Sequence, residues 1–528
     1  MFPEFKMNWG RTPFTPGSKM KPRAVVRGAA LSIALRRLIA CWTFCRMSAL
    51  LTVLLICIVS ITTVFGEDLS QGSCQASNSL SALIRGRNVI AYVAKGAWIW
   101  PVPNVSVVNI EGNSITPTQI PTPNPVNACA SNSDTGQTVC AANNTDVYVI
   151  SGTTLKSTLT SGGSGMAMFM EGNCTNCGVT MDTVHNRAVI GLNVSPPLTA
   201  GYQILNLGSS PKFEKPIASQ AKSADGINQQ ISGGILIDPL RNLILSPNEH
   251  SNYEIVMLPK PDNDDKKGED HDKDDKGDKD DKGKDKDDKK ADNTAPRFFE
   301  NTSSQNFLSF GSAGADCATG IIMGTLANQN PSDESRIYIA DLSRATGTPG
   351  SPAGTWAAPS QIQTLTESHL SHGSNGIGMA QGTHTGIVTG EFGFDAFGGN
   401  ITAIVLKKQD DDDRKKDDDD REKGGVKKGN ENAAISDWVT CTIPGGFVTG
   451  FDPHTVTAYQ SPKDGHAIGL VASQQAGAMP TVAVIDLTKM LDKNIVQRTK
   501  GAGLGHSCAS GTLSTTGRDA VVRFVTVP

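Results

Sequence analysis

The chain has 528 residues, 38% hydrophobic and 19% charged, with 54 Gly, 28 Pro and a formal net charge of -4. That length and apolar content exclude a collagen-like or wholly disordered chain. Charge is concentrated in residues 261–293, with 15 acidic and 10 basic side chains, and in residues 407–430, with 9 of each; the rest, at roughly 12% charged, excludes a nucleic-acid binder with a basic face and suits short strands joined by tight turns.

Residues 1–66 read as a leader. Nine basic residues and one acid, Glu4, precede Met47, and the apolar run SALLTVLLICIVSITTVFG occupies residues 48–66. A basic flank holds the N-terminus in the cytoplasm, so the remainder is expected to be exported. Val64 and Gly66 offer the small residues of a cleavage site before Glu67, while the run is also near the length of a membrane anchor. Cleaved signal and uncleaved anchor both stay open, and Met20 and Met47 are alternative starts.

From residue 85 onward a short alternating strand recurs: VSVVNI (105–110), DVYVIS (146–151), GYQILNL (201–207), NYEIVML (252–258), RIYIADL (336–342), NITAIVL (400–406) and TVAVIDL (481–487). Before most of these lies another strand introduced by Asp, Asn, Gly or Pro, as in SDTGQTVCAA, TVHNRAVIGL, DPLRNLILS, QGTHTGIVTG and SPKDGHAIGLVA. Repeats that are all strand, with almost no helical periodicity, predict an all-β fold, a β-propeller. Seven blades closed by strands from both termini is the expected arrangement, with six and eight as alternatives. In that reading GHSCASGTLSTTGRDAVVRFVTV supplies an inner strand and its neighbour, and DCATGIIMGTLANQN has a poorly defined second strand.

Residues 105–150 resemble the YVTN-type propeller repeat, in which a VSVID strand leads to a TIPVG strand, a Pro-anchored inner strand, an SPDG turn and a VYVAN strand; TVAVIDL echoes it near the end. The resemblance implies the propeller fold. The family includes surface-layer and adhesion-like proteins, and related propellers include lactonases and redox enzymes, so the fold alone does not select an activity.

The two charged stretches contain too little apolar surface to offset ordering entropy and are expected to be disordered inserts in the propeller of residues 67–528. Each comes after the recurring strand and precedes the next outer strand, NFLSF in one case and WVTCTIP in the other, so both should leave from one face.

Three of the 11 cysteines lie in the leader, leaving Cys74, Cys129, Cys140, Cys174, Cys177, Cys317, Cys441 and Cys508 for an oxidising compartment. Cys129 and Cys140 occupy mirror positions in the hairpin ACASNSDTGQTVCAA, which predicts a disulfide between them. Cys174 and Cys177 form C-x-x-C, but no second such pair or H-x-x-x-H accompanies it, which argues against structural zinc. N-x-S/T sequons occur at Asn104, Asn143, Asn173, Asn301 and Asn400.

No G-x-S-x-G, phosphate-loop or H-E-x-x-H motif is found. The constellation with positional logic is His372, His454 and His506, each placed before an expected inner strand (SHGSNG, FDPHTV, LGHSC), with Asp452 beside one and Asp316 at the corresponding point of another blade. Inner-strand starts share one channel mouth, where imidazoles suit a divalent metal such as Zn²⁺. His384 and His466, just after turns, are expected to face solvent. Two functions therefore stand side by side. One is an exported, non-enzymatic, monomeric scaffold that binds a protein or polymer at a propeller face. The other is a metal-assisted, lactonase-like hydrolase using His372, His454, His506 and Asp452.

Overall fold

The computed structural model describes residues 74, 80–94, 102–110, 117–165, 167–169, 172–194, 199–219, 234–247, 253–258, 297–301, 313–317, 320–326, 336–341, 363–366, 372–392, 400–408, 435–444, 453–473, 481–491, 496–497, 507–508 and 521–526. The chain divides into two units at Asp68 and Leu69, and every described residue belongs to the second. Among the described residues no helix is long and apolar enough to cross a membrane. The leader, including residues 48–66, lies outside them.

Antiparallel sheets, four-stranded except for the five-stranded third, succeed one another along the chain. Sheet one holds β1 (Leu80–Arg85), β2 (Asn88–Ala94), β3 (Asn104–Asn109) and β4 (Thr118–Pro121). Sheet two holds β5 (Val126–Asn132), β6 (Gln137–Ala142), β7 (Asp146–Ser151) and β8 (Thr154–Thr160). A ribbon of β9 (Ala167–Phe169) and β10 (Gly172–Cys174) leads to sheet three: β11 (Asn176–Asp182), β12 (Arg187–Val194) and β13 (Thr199–Asn206), edged by β14 (Lys212–Phe213) and β15 (Ile217–Ala218). Sheet four is β16 (Leu236–Asp238), β17 (Leu243–Pro247), β18 (Tyr253–Met257) and β19 (Arg297–Asn301). Sheet five is β20 (Ala313–Asp316), β21 (Ile321–Leu326), β22 (Arg336–Asp341) and β23 (Gln363–Thr366). Sheet six is β24 (His372–Ala380), β25 (Thr385–Phe392), β26 (Asn400–Lys408) and β27 (Ile435–Pro444). Sheet seven is β28 (Pro453–Gln460), β29 (Ala467–Ser473) and β30 (Thr481–Asp486), then one turn of helix α1 (Leu487–Met490), a ribbon of β31 (Val496–Gln497) and β32 (Ser507–Cys508), and the outer strand β33 (Val521–Thr526).

Each first strand packs against the first strand of the next sheet, and β28 returns to β1, so the sheets close a ring: a β-propeller. Every sheet is covered on both faces, which is why its strands are apolar at successive positions. The described core falls into one apolar cluster at each sheet-to-sheet seam. Val139, Val149, Met181 and Ile190 join sheets two and three, for example, while Leu80, Val93, Leu470 and Val482 join sheet one to sheet seven. Inner strands come closest together. A Cβ on Gly378 of β24 would stand 2.9 Å from the backbone nitrogen of Ala458 in β28, so only glycine fits that seam.

All the recurring strands read from sequence are third strands: β3, β7, β13, β18, β22, β26 and β30. The YVTN-like stretch 105–150 straddles two sheets, from the third strand of one to the third strand of the next. Ring closure differs from the expectation of strands from both termini. LSALIR, immediately upstream of Asn88, supplies the inner strand of sheet one through a short hairpin, so that sheet needs nothing from the C-terminus. Val521–Thr526 instead becomes the outer strand of sheet seven, and the seam between first and last sheets is made by side-chain packing. The segment DCATGIIMGTLANQN does contain a regular second strand, β21.

The charged residues 261–293 and 409–430 lie outside the described residues, while Lys407 and Lys408 finish β26. The flanking strands show where each stretch leaves the fold: both join a third strand to a fourth, in sheets four and six. In sheet four the fourth strand is Arg297–Asn301 rather than NFLSF. RFFEN and NFLSF are both short aromatic runs, and pairing along the whole of β18 selects the first.

Candidate functional site

The first-to-second-strand turns gather the polar chemistry of one propeller face. In sheets two, three, four and seven they are five-residue turns, NSDTG, DTVHN, DPLRN and SPKDG, at 132–136, 182–186, 238–242 and 461–465, and in sheet five the corresponding connection runs from Asp316 to Gly320, whose N–H bonds the Asp316 carbonyl. In four of them the leading side chain accepts backbone N–H groups: Asn132 Oδ1 from Asp134 and Thr135, Asp182 Oδ1 from His185, Asp238 Oδ1 from Leu240 and Arg241, and Ser461 Oγ from Lys463. The closing residue takes positive φ, which glycine meets at 136, 320 and 465, and asparagine at 186 (49°) and 242 (56°). His384 (52°) closes the corresponding turn of sheet six. The carbonyls of Asn186, Asn242 and His384 then accept the N–H of Leu207, Leu258 and Leu406, which fixes the end of each third strand beside the turn.

These turns are wired to one another. Ser133 Oγ accepts the Ile84 N–H (3.0 Å), and Asn132 Nδ2 donates to Asn186 Oδ1 (3.0 Å). Arg187 donates from Nε to Asp182 (2.7 Å) and from Nη2 to Asn242 Oδ1. Arg241 Nη1 bridges Asp238 Oδ2 (2.8 Å) and the Cys317 carbonyl (2.9 Å). Asp316 accepts the N–H groups of Gly382 (3.2 Å) and His384 (3.3 Å), and Gln381 bonds the backbone at Ala315 and Cys317. Asp182, Asp238 and Asp316 are buried, so their charge is tolerated only because several donors converge on each. Burial pushes the Asp238 carboxyl above its usual range, and Arg241 opposes that shift.

Among the described residues, three imidazoles stand on this face, each with Nδ1 toward a buried carboxylate: His185 to Asp182 (2.8 Å), His384 to Asp316 (3.5 Å) and His466 to Asp486 (2.9 Å). His384 and His466 are thus partly exposed but anchored, rather than simply facing solvent. Val184 (45% exposed) and Leu240 (43%) are the exposed large apolar residues among the described ones, and they hold the same turn position in adjacent sheets. The polar anchors beneath them are not among the residues singled out from the sequence, although the matched pattern D-x-x-x-N in DTVHN and DPLRN is a signal for them.

The opposite end of the ring, where inner strands begin, carries the expected histidine site. His372 opens β24 and His454 is the second residue of β28, so both sit at inner-strand starts of neighbouring sheets. Asp452 and His506 lie outside the described residues. LGHSC does not introduce an inner strand: Ser507–Cys508 pairs with Val496–Gln497 in the third-to-fourth connection of sheet seven. Asp316 ends its inner strand rather than preceding it, because AGA before it forms the strand. Among the described residues no group of three or more His, Cys, Asp or Glu side chains is placed to hold a metal.

That end also holds a buried polar cluster between sheets three and four. Tyr202 Oη and Ser219 Oγ donate to the same oxygen, Glu254 Oε2, at 2.5 and 2.6 Å, with Glu254 1% exposed. Burial, reinforced by the neighbouring carboxylate, lifts the Tyr202 phenol well above the ordinary tyrosine value. Nearby, Cys174 and Cys177 are joined as a disulfide. The expected bridge Cys129–Cys140 is present, its residues directly opposed across β5 and β6 with Cα atoms 4.1 Å apart. A third bridge, Cys74–Cys317, spans 243 residues.

No protein-family model and no curated protein sequence matches this chain. Among solved structures it is similar to a chain of "Crystal Structure of Mitotic Checkpoint Complex", with TM-score 0.40 and 8% identity over 75% of this chain and 86% of that one. It is also similar to the Myceliophteria thermophila Cps50 (Swd1) β-propeller domain, with TM-score 0.42 and 7% identity over 79% and 98%. Likeness at that level says nothing of what this chain binds.

Proposed function

We propose that the protein is an exported, seven-bladed, non-enzymatic propeller that binds a protein or polymer partner through the face formed by its first-to-second-strand turns. One observation carries the reading: Val184 and Leu240 stand exposed at equivalent positions of adjacent turns, over a rigid network of buried Asp, Arg and Asn, on the face from which both charged inserts leave. Apolar residues on a preorganised polar frame are what a recognition surface requires. The basic leader, the disulfides and the YVTN-like repeat at 105–150 support an extracytoplasmic, surface-associated setting.

A photo-crosslinking residue at position 184 or 240, introduced into the full chain in its own compartment, is expected to give discrete adducts. Thr160, exposed at the far end of outer strand β8, is the control position. Adducts at 160 with none at 184 or 240 would assign the wrong face, and none at any position would overturn the interaction role. Export is tested by a reporter fused after residue 90; activity confined to the cytoplasm would refute it.

A further inference from the structure

Six of the eight cysteines beyond the leader are paired in the described disulfides, which leaves Cys441 and Cys508. They are 67 positions apart in sequence, yet the fold brings their elements together. Cys441 lies in β27, the outer strand of sheet six, directly opposite Ala403 of β26. Opposed residues of an antiparallel pair share a face, and Ala403 belongs to the apolar seam that sheet six makes with sheet seven. Cys508 is half of β32, in the long connection between the third and fourth strands of sheet seven. Both β31 and β32 pack against β27. Cys441 thus sits on the face of sheet six turned toward sheet seven, and the element carrying Cys508 comes from sheet seven to lie against that strand.

We infer that Cys441 and Cys508 form a fourth disulfide, which staples the last connection of sheet seven to the outer edge of sheet six. A bridge requires Cα atoms about 4.4–6.8 Å apart, the range reached by neighbouring backbones in contact. The reaction is a two-electron oxidation. The two thiols lose their protons, an Sγ–Sγ bond forms, and the electrons reduce the disulfide of a thiol oxidant, such as oxidised glutathione or an exported oxidoreductase, to two thiols. The inference rests on the exported setting proposed above, because a reducing compartment would keep both thiols free.

The test is a peptide map of the full chain purified from an oxidising compartment, alkylated without reductant and digested with trypsin. Residues 429–463 form one tryptic peptide whose only cysteine is Cys441, and residues 501–518 form another whose only cysteine is Cys508. The expected result is a cross-linked species of these two that separates on reduction, and in Cys441→Ser a Cys508 thiol that reacts with maleimide without reductant. Cys129–Cys140 in the same digest distinguishes the two ways of failing. With that pair bridged and Cys441 and Cys508 alkylated, or joined to other cysteines, this inference is overturned alone. With all of them alkylated, the exported setting falls with it.

Discussion

Removing the Cys74–Cys317 bridge should weaken the ring more than removing either of the other described disulfides. Cys74 precedes the first strand of sheet one, while Cys317 sits in the turn of sheet five, and both are fully buried among Leu236, Leu245, Ala313 and Ala315 of sheets four and five. The bridge spans 243 residues, against 11 for Cys129–Cys140 and 3 for Cys174–Cys177. In the chain-entropy account, a closed loop of that length restricts the unfolded state by roughly 5 kcal/mol, compared with roughly 3 kcal/mol for the Cys129–Cys140 loop. The double substitution Cys74→Ala with Cys317→Ala keeps the site apolar, so the loss reports mainly the cross-link. Equilibrium urea unfolding of the parent, this variant and Cys129→Ala with Cys140→Ala, under identical non-reducing conditions, should give the parent the highest midpoint and the long-loop variant the lowest, with the short-loop variant between them. Equal midpoints for the two variants, or a long-loop variant as stable as the parent, would refute the argument.

The geometry sets four further outcomes. Tyr202→Phe should cost about 1–3 kcal/mol, because buried Glu254 loses a donor. Since the folded phenol titrates well above 10.0, the stability it provides is intact below pH 10 and declines as pH rises beyond it, so thermal melts above pH 10 should fall more steeply for the parent than for the variant; parallel profiles would count against that assignment. Gly378→Ala should destabilise by about 1–3 kcal/mol, since its Cβ would meet the backbone of Thr457 and Ala458, and an unchanged melting temperature would mean the seam is looser than described. Deleting residues 261–293 or 409–430 should leave the melting temperature unchanged or slightly higher, because shortening a closed loop lowers the entropic cost of closing it; a large drop would make the inserts part of the fold. Substituting His372, His454 and His506 together by Ala should alter neither metal content nor crosslinking at position 240, and a stoichiometric metal in the parent that the variant lacks would favour the hydrolase reading.

The third strands are legible in the sequence because they alternate β-branched and apolar residues between turn signals, as in DVYVIS and TVAVIDL. Inner strands are harder to read. HGSNGIGMA and AGAD carry few β-branched residues, because close approach at the ring's centre demands small ones, as at Gly378; the inner strands expected there are therefore misplaced, one already beginning at His372 and the other ending at Asp316. LSALIR is obscured because it lies close behind the leader, and this shifts the expected closure. The Cys129–Cys140 bridge is readable because hairpin symmetry is local. The turn-to-turn wiring is not, because Asn132 to Asn186 and Arg187 to Asn242 join residues more than 50 positions apart.

The way the charged stretches leave the ring makes this protein a natural carrier for guests. Close to each departure the third strand is tied to the neighbouring turn, Leu258 to Asn242 in sheet four and Leu406 to His384 in sheet six, and the chain rejoins on the adjacent strand, with Arg297 directly across from Met257 and Ile435 across from Lys408. Neighbouring strands lie only about 5 Å apart, so any folded module whose own ends lie close together can be spliced there without prying the host open. Doubling the length of such a detour costs roughly 0.6 kcal/mol. Two such ports on one rim would let a pair of reporters or enzymes be displayed side by side, at a spacing set by the propeller rather than by a linker.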